Sequence, residues 1–127
     1  MSQDDVVLRK EFENILQRDR VAESLIRLFE SVPQRKLRRA LFLLSEVYPD
    51  KIHIEDEELE FICYILSHKK FIEQETIRNF IFSLNIIEFS EKQKEIMRSI
   101  IPDALNTLSE KCTYELEAFL SRIGLKC

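Results

Sequence analysis

The chain has 127 residues, a net charge of −4, 45% hydrophobic and 33% charged residues. This composition is ordinary for one folded domain and excludes wholesale disorder. One glycine and three prolines are too few turn formers for an all-β fold, so they favour helices joined by short loops. The negative net charge disfavours general nucleic-acid binding, which usually needs a basic face. We therefore expect residues 1–127 to form a single all-α domain.

Apolar residues recur at helical spacing through the first third of the chain. They predict a first helix over residues 3–17 and a second helix whose apolar stripe lies within 21–29. Pro33 donates no backbone N–H, so it ends the second helix or opens the third. The third helix should continue to about Val47, and residues 49–54 then form the longest predicted connection.

The middle of the chain predicts three further helices. A fourth helix should span residues 55–67, with several carboxylates in a first turn where the helix dipole favours negative charge. A fifth helix is expected over residues 73–87. The sixth should begin after Ser90, because Ser90 and Gln93 have the spacing of a capping box.

The C-terminal part adds a seventh helix. Pro102 interrupts the sixth helical pattern, and we expect a kink or a break there, with a short continuation through Leu108. Thr113 is placed to cap the seventh helix. Gly124, the only glycine, lies where a left-handed C-terminal cap is wanted. The sequence thus predicts about seven helices.

Two apolar patterns recur along the chain with offsets of 38 to 40 residues, each at positions i, i+3, i+4 and i+7 of a helix. The first pattern occurs three times: Leu37, Ala40, Leu41 and Leu44; Ile77, Phe80, Ile81 and Leu84; Leu116, Phe119, Leu120 and Ile123. The second occurs twice: Leu59, Ile62, Cys63 and Leu66; Met97, Ile100, Ile101 and Ala104. Alternating helices with this period indicate stacked antiparallel hairpins.

Over residues 34–124 this arrangement resembles HEAT-type repeats, whose period is near 40 residues. The resemblance implies a stacked scaffold that presents a surface to another macromolecule. It lacks the Asp and Arg ladder positions typical of better HEAT repeats. A compact irregular α-bundle is the alternative.

Catalytic and cofactor-binding patterns are scarce. A single glycine cannot build a phosphate-binding loop, and neither a His-Glu-x-x-His motif nor a close cysteine pair occurs. We expect no catalytic residue, no cofactor and no metal. The three cysteines are far apart in the sequence, which favours reduced thiols over disulfide bonds. No signal peptide is visible, and no apolar run reaches the roughly 20 residues of a membrane span. These features together predict a cytoplasmic protein.

An acidic run accompanies the start of the predicted fourth helix. Between residues 50 and 60 there are six carboxylates and one lysine, a local charge of −5. The helix dipole and a solvated face account for part of this charge. The functional interpretation is a patch that recognises a basic partner. Its candidate residues are Glu55, Asp56, Glu57, Glu58, Glu60 and the nearby Tyr64.

Basic residues gather at the start of the third helix, which is the unfavourable end for positive charge. Pairing with carboxylates elsewhere would explain them, and so would a small anion- or RNA-binding site. The candidates are Arg35, Lys36, Arg38, Arg39 and, one repeat later, Arg78. Nucleic acid is the less favoured partner, because interleaved exposed aromatics are not evident. Tyr48, Tyr64 and Tyr114 are interface candidates, since tyrosine offers a large contact area and a polar tip.

These features predict a non-catalytic protein-binding module. In class it is similar to the small, acidic, helical immunity proteins with which bacteria inhibit toxins. That similarity implies an inhibitor that covers the basic active-site cleft of a toxin such as a nuclease. An RNA- or anion-binding regulator and a helical-repeat adaptor are the alternatives. A homodimer is also possible, because apolar residues such as Val6 and Leu125 lie near the ends.

Overall fold

The computed structural model describes residues 3–108 and 114–125. Within these ranges the chain forms eight α-helices and no strand, which confirms the predicted all-α fold. The helices are α1 (Gln3–Leu16), α2 (Val21–Ser31), α3 (Leu37–Val47), α4 (Leu59–Ser67), α5 (Lys69–Ile72), α6 (Ile77–Ser83), α7 (Glu91–Leu108) and α8 (Tyr114–Arg122). Short 3-10 turns precede α3 and α4, and another follows α6.

The longer helices pack in two layers. In the first layer α1 packs on α3, α3 on α6 and α6 on α8, while in the second α2 packs on α4 and α4 on α7. Helices that share an apolar pattern are therefore neighbours within a layer. The 40-residue spacing of the apolar patterns thus corresponds to packing between successive helices of one layer.

The repeated patterns identify core residues well. Every residue of the first pattern on α3, on the α6 segment and on the α8 segment is buried, as are all four residues of the second pattern on α4. On α7, Met97 and Ile101 are buried, but Ile100 is exposed. Helix α7 is the last helix of its layer in the described ranges.

A row of aromatic side chains joins the two layers. Phe12 of α1 stacks on Phe29 of α2 with ring centroids 5.7 Å apart, Phe29 lies 5.8 Å from Phe61 of α4, and Phe61 lies 5.9 Å from Phe80 of α6. Tyr48, just after α3, contacts both Phe61 and Phe80. Such pairs contribute about 0.5–1.5 kcal/mol each beyond the burial of their area. This aromatic row forms the centre of the core.

The predicted helix over residues 73–87 is wrong in its bounds. The chain instead forms the short α5, turns, and begins α6 four residues later than predicted. The turn has a packing reason, because Phe71 of α5 is buried and meets Phe29 edge-on with ring centroids 5.7 Å apart. The fourth helix likewise opens as a 3-10 turn, so that α4 proper begins only at Leu59.

The predicted capping box at the start of α7 is confirmed. The Gln93 backbone N–H donates to Ser90 Oγ at 3.1 Å, and the Ser90 N–H donates to Gln93 Oε1 at 3.0 Å. The buried Gln93 side chain also donates through Nε2 to the Ile54 carbonyl at 2.8 Å and to Asp56 Oδ1 at 3.1 Å. Gln93 thus ties α7 to the connection before α4.

The helices of the C-terminal part agree only partly with the predictions from the sequence. Helix α7 runs as one helix from Glu91 to Leu108, so the predicted break at Pro102 is wrong. The predicted cap Thr113 lies outside the described residues. Gly124 has φ 88°, and the N–H of Leu125 donates to the Leu120 carbonyl at 2.8 Å. This is the left-handed C-terminal cap that the glycine predicts.

Replacing Gln93 by Ala should lower the free energy of unfolding by about 1–3 kcal/mol, because the buried Ile54 carbonyl loses its donor. Urea denaturation followed by circular dichroism measures the change. Gln34→Ala, at an exposed position in the turn before α3, is the matched control and should change stability by less than about 0.5 kcal/mol. Equal stability of the two variants would contradict the bridging role of Gln93.

Alkaline pH should destabilise the fold partly through Cys63. Burial raises the pKa of this thiol from 9.0 to about 11, so above pH 9 the unfolded chain releases its proton first and stability falls as pH rises. At pH 7 the Cys63→Ala variant should be less stable than the parent by about 1 kcal/mol, from the lost buried volume. The difference should shrink as the pH rises from 9 to 11. A difference that stays constant over this range in denaturant titrations would refute the assignment.

Candidate functional site

Glu55 and Glu58 of the acidic run organise the start of α4. They form a capping box in which the Glu55 N–H donates to Glu58 Oε2 at 2.9 Å and the Glu55 side chain accepts the Glu58 N–H. Glu58 is only 2% exposed, and its carboxylate also lies 3.1 Å from Lys51 Nζ. The burial of Glu58 means that its carboxylate serves the fold rather than the surface.

Asp56 and Glu57 reach neighbouring elements. Asp56 accepts from Gln93 and lies 3.3 Å from Lys92 Nζ. Glu57 Oε1 accepts the backbone N–H groups of Ala22 at 3.0 Å and Glu23 at 3.4 Å. These N–H groups occupy the positions that an N-cap side chain normally serves. The N-cap residue of α2 makes no such bond, so Glu57 caps that helix from a distant part of the chain.

Glu60 and Tyr64 remain at the surface of α4. They are four residues apart and therefore share a helical face. Glu60 forms no salt bridge with any described residue, whereas Tyr64 is half-buried and its ring lies 4.5 Å from that of His68. Burial and the negative charge of Glu30 raise the pKa of the Tyr64 phenol.

Four glutamates line a cavity of about 460 Å³ between α2 and α4, which we call the acidic groove: Glu23, Glu30, Glu57 and Glu60. Arg20 and Arg27 also line it, but both pair with Glu23, at 3.7 and 3.0 Å. Within the described ranges neither Glu30 nor Glu60 has a cationic partner. The groove thus retains two uncompensated carboxylates.

The sequence did not predict the contribution of α2 to the acidic groove. Glu23 and Glu30 are seven residues apart, which places them on one face of a helix. That spacing could be recognised in the sequence as a sign that the two carboxylates lie on the same face of α2. Its meaning depended on the packing of α2 against α4, and this pairing of helices could not be derived from the separate helical patterns.

The predicted basic residues also come together, with one exception. Arg35, Arg38, Arg39 and Arg78 line a cavity of about 520 Å³ between α3 and α6, which we call the arginine groove. Lys36 does not line it, and its Nζ lies 4.0 Å from Asp4 on α1. The arginines converge because α3 and α6 are neighbours in the first layer.

The three predicted interface tyrosines differ in exposure. Tyr48 is 1% exposed within the aromatic row, so its assignment to an interface is wrong. Burial, together with the charge of Glu58, strongly raises the pKa of its phenol, and its hydroxyl has no hydrogen-bond partner in the described part of the protein. Tyr114 is exposed at the start of α8. Phe82 of α6, which the sequence did not place at a site, is 69% exposed.

No family model, curated protein or solved structure matches the chain. Among the described residues, no three or more His, Cys, Asp or Glu side chains are grouped so that they could hold a metal ion. No helix in that part of the chain is both long and apolar enough to cross a bilayer. The acidic groove and the arginine groove are the two candidate sites of the described residues.

The contacts of the acidic run separate its structural from its surface residues. Glu57→Ala should lower the free energy of unfolding by about 1 kcal/mol, because the first turn of α2 loses its cap. Glu60→Ala, one turn along and exposed, should change it by less than about 0.5 kcal/mol. Thermal denaturation of both variants measures the difference. A Glu60 variant as destabilised as the Glu57 variant would contradict this division.

Proposed function

We propose that the protein is a non-catalytic module that binds a basic protein partner through the acidic groove. The observation that supports this best is the pair of uncompensated carboxylates, Glu30 and Glu60, beside the half-exposed Tyr64. Negative potential in a groove steers a cationic partner toward it and fixes its register. Tyr64 supplies apolar contact area at a small entropic cost.

The mechanism is occlusion. The carboxylates of the acidic groove take the place of the anionic substrate in the cationic cleft of the partner, and the surrounding surfaces of α2 and α4 exclude that substrate sterically. An inhibitor of this kind needs no chemistry of its own. A cytoplasmic immunity protein that neutralises a toxin, such as a nuclease, is the specific form that we favour.

The internal contacts of the acidic run reduce the set of residues that we propose for recognition. Four of the six candidates from the acidic run, Glu55, Asp56, Glu57 and Glu58, make the internal contacts described above. Glu60 and Tyr64 remain the strongest members, and Glu30 joins them. We assign recognition to this smaller set.

The proposal is tested by charge reversal in the acidic groove. The basic partner is first recovered by affinity capture from the native cell and identified by mass. Glu30→Lys/Glu60→Lys should then weaken its binding by about 100-fold or more at low salt, mainly through slower association. Surface plasmon resonance measures both rate constants. The thermal stability of the variant should stay close to that of the parent, because both carboxylates are exposed.

A control with the same change in net charge is available elsewhere on the surface. Glu11→Lys/Glu95→Lys alters exposed residues of α1 and α7 that do not line the acidic groove. It should reduce the association rate only slightly. Equal weakening by both double variants would mean that total charge, not the groove, controls binding. Recovery of an acidic partner would reject the proposal outright.

A further inference from the structure

The arginine groove contains more arginines than the stability of the neighbouring helices explains. Its lining holds four arginines and one carboxylate, Glu75. The ion pairs of this region are Arg38 with Glu75 at 2.9 Å, Arg39 with Asp5 at 3.0 Å and Arg78 with Glu115 at 3.8 Å. Arg35 pairs with no carboxylate of the described ranges. Exposed pairs of this kind contribute about 0–1 kcal/mol each, so they do not explain the cluster.

Local helix stability does not explain it either. Arg35, Arg38 and Arg39 lie in the turn before α3 and in its first turn, where the helix dipole is already positive. The carbonyl of Arg38 accepts a hydrogen bond of 2.6 Å from Thr76 Oγ1. This bond joins the start of α3 to the start of α6. It therefore holds Arg38 and Arg39 of α3 near Arg78 of α6. The arrangement is therefore fixed in spite of mutual repulsion.

The positive surface is short. On the side of α1 the cluster meets Asp5, and on the side of α8 it meets Glu115. At the α8 position equivalent to Arg38 and Arg78 in the repeat stands Glu117. A long polyanion such as an RNA strand would run into these carboxylates. A compact group with two negative charges would avoid them.

Two phenylalanines lie one helical turn from arginines of the groove. Phe42 lines the groove, and the Arg39 guanidinium lies 5.0 Å from the centre of its ring. Phe82 is one helical turn beyond Arg78, as Phe42 is one turn beyond Arg38, and it is largely exposed. A free phosphate ion would leave both rings unused. A phosphate carried on a peptide would place neighbouring side chains on them.

We propose that the arginine groove recognises a phosphorylated side chain within a segment of a protein partner. Guanidinium forks bind phosphate oxygens in pairs, and arginine clusters are a recurring means of reading phosphorylated motifs. Arg35 contacts the phosphate, and Arg38 and Arg78 join it by exchanging Glu75 and Glu115 for it. Phe42 and Phe82 receive an apolar residue next to the phosphorylated one. The site lies in the other layer from the acidic groove and does not depend on the function proposed for that groove.

The test uses the full chain and synthetic peptide pools. Each pool has a fixed phosphoserine, phosphothreonine or phosphotyrosine flanked by random residues, and the matching pools carry the unmodified residue. At least one phosphorylated pool should be retained about tenfold or more over its unmodified counterpart. The retained sequences should be enriched in apolar residues beside the phosphate. Binding of individual selected peptides is then measured by fluorescence anisotropy.

Substitutions in the arginine groove test whether the phosphopeptide binds there. Arg38→Gln/Arg78→Gln should lower affinity for a selected phosphopeptide by about tenfold or more, whereas Glu75→Gln should raise it severalfold by releasing Arg38. Lys10→Gln/Arg18→Gln removes two exposed positive charges that line neither groove; it is the matched control and should leave binding of the phosphopeptide unchanged. Phe82→Ala should weaken the peptide and leave binding of inorganic phosphate unchanged.

Three results would overturn the proposal. One is equal retention of phosphorylated and unmodified pools of all three kinds. Another is inorganic phosphate binding as tightly as the best peptide, which would make the groove a site for a free anion. The third is single-stranded oligouridylate binding more tightly than any phosphopeptide and losing affinity in the Arg38→Gln/Arg78→Gln variant, which would make it an RNA site.

Discussion

The aromatic row is the constraint on which the rest of the molecule depends. Phe61 occupies its middle and contacts Phe29, Tyr48 and Phe80. Through these rings α2, the end of α3, α4 and α6 are held in one core. The acidic groove is formed where α2 meets α4, and the arginine groove where α3 meets α6. The geometry of both grooves therefore depends on the packing of the same few aromatic rings.

Charge is used in two different ways around this core. At the start of α4 most carboxylates serve the fold, since they cap helices or bind the side chain of Gln93. The carboxylates left for recognition come from two helices of the second layer. At the start of α3 the arginines gain little from their neighbours and oppose the helix dipole. A charge cluster that costs local stability and is held in place by packing is a better sign of a binding site than one that stabilises its own helix.

Much of the fold could be predicted from the sequence because its signals are local. Helical periodicity identified the core residues of α3 and α4, the Ser90 box set the start of α7, and Gly124 set the end of α8. The arginine groove could be predicted because most of its arginines lie on α3 and α6, two helices that share the first apolar pattern. What could not be predicted depends on contacts between distant segments. The turn between α5 and α6 follows from the fit of Phe71 against Phe29.

The candidate site shows the same limit. Glu57 caps a helix 35 residues away, and no spacing rule links a carboxylate to such a partner. Glu30 belongs to the acidic groove only because α2 lies against α4. The resemblance to HEAT-type repeats stays a prediction, although neighbouring helices of a layer do share their apolar patterns. Pattern therefore predicted which residues are buried, and packing determined which charges remain available.

Hydrogen exchange measured by mass spectrometry on a Phe61→Leu variant tests most directly whether one aromatic row supports both grooves. The substitution removes ring contacts to both layers and should cost about 1 kcal/mol or more. The account predicts that peptides from α2, α4 and α6 lose protection together, by similar free energies. Loss of protection confined to α4, with α2 and α6 unchanged, would contradict it.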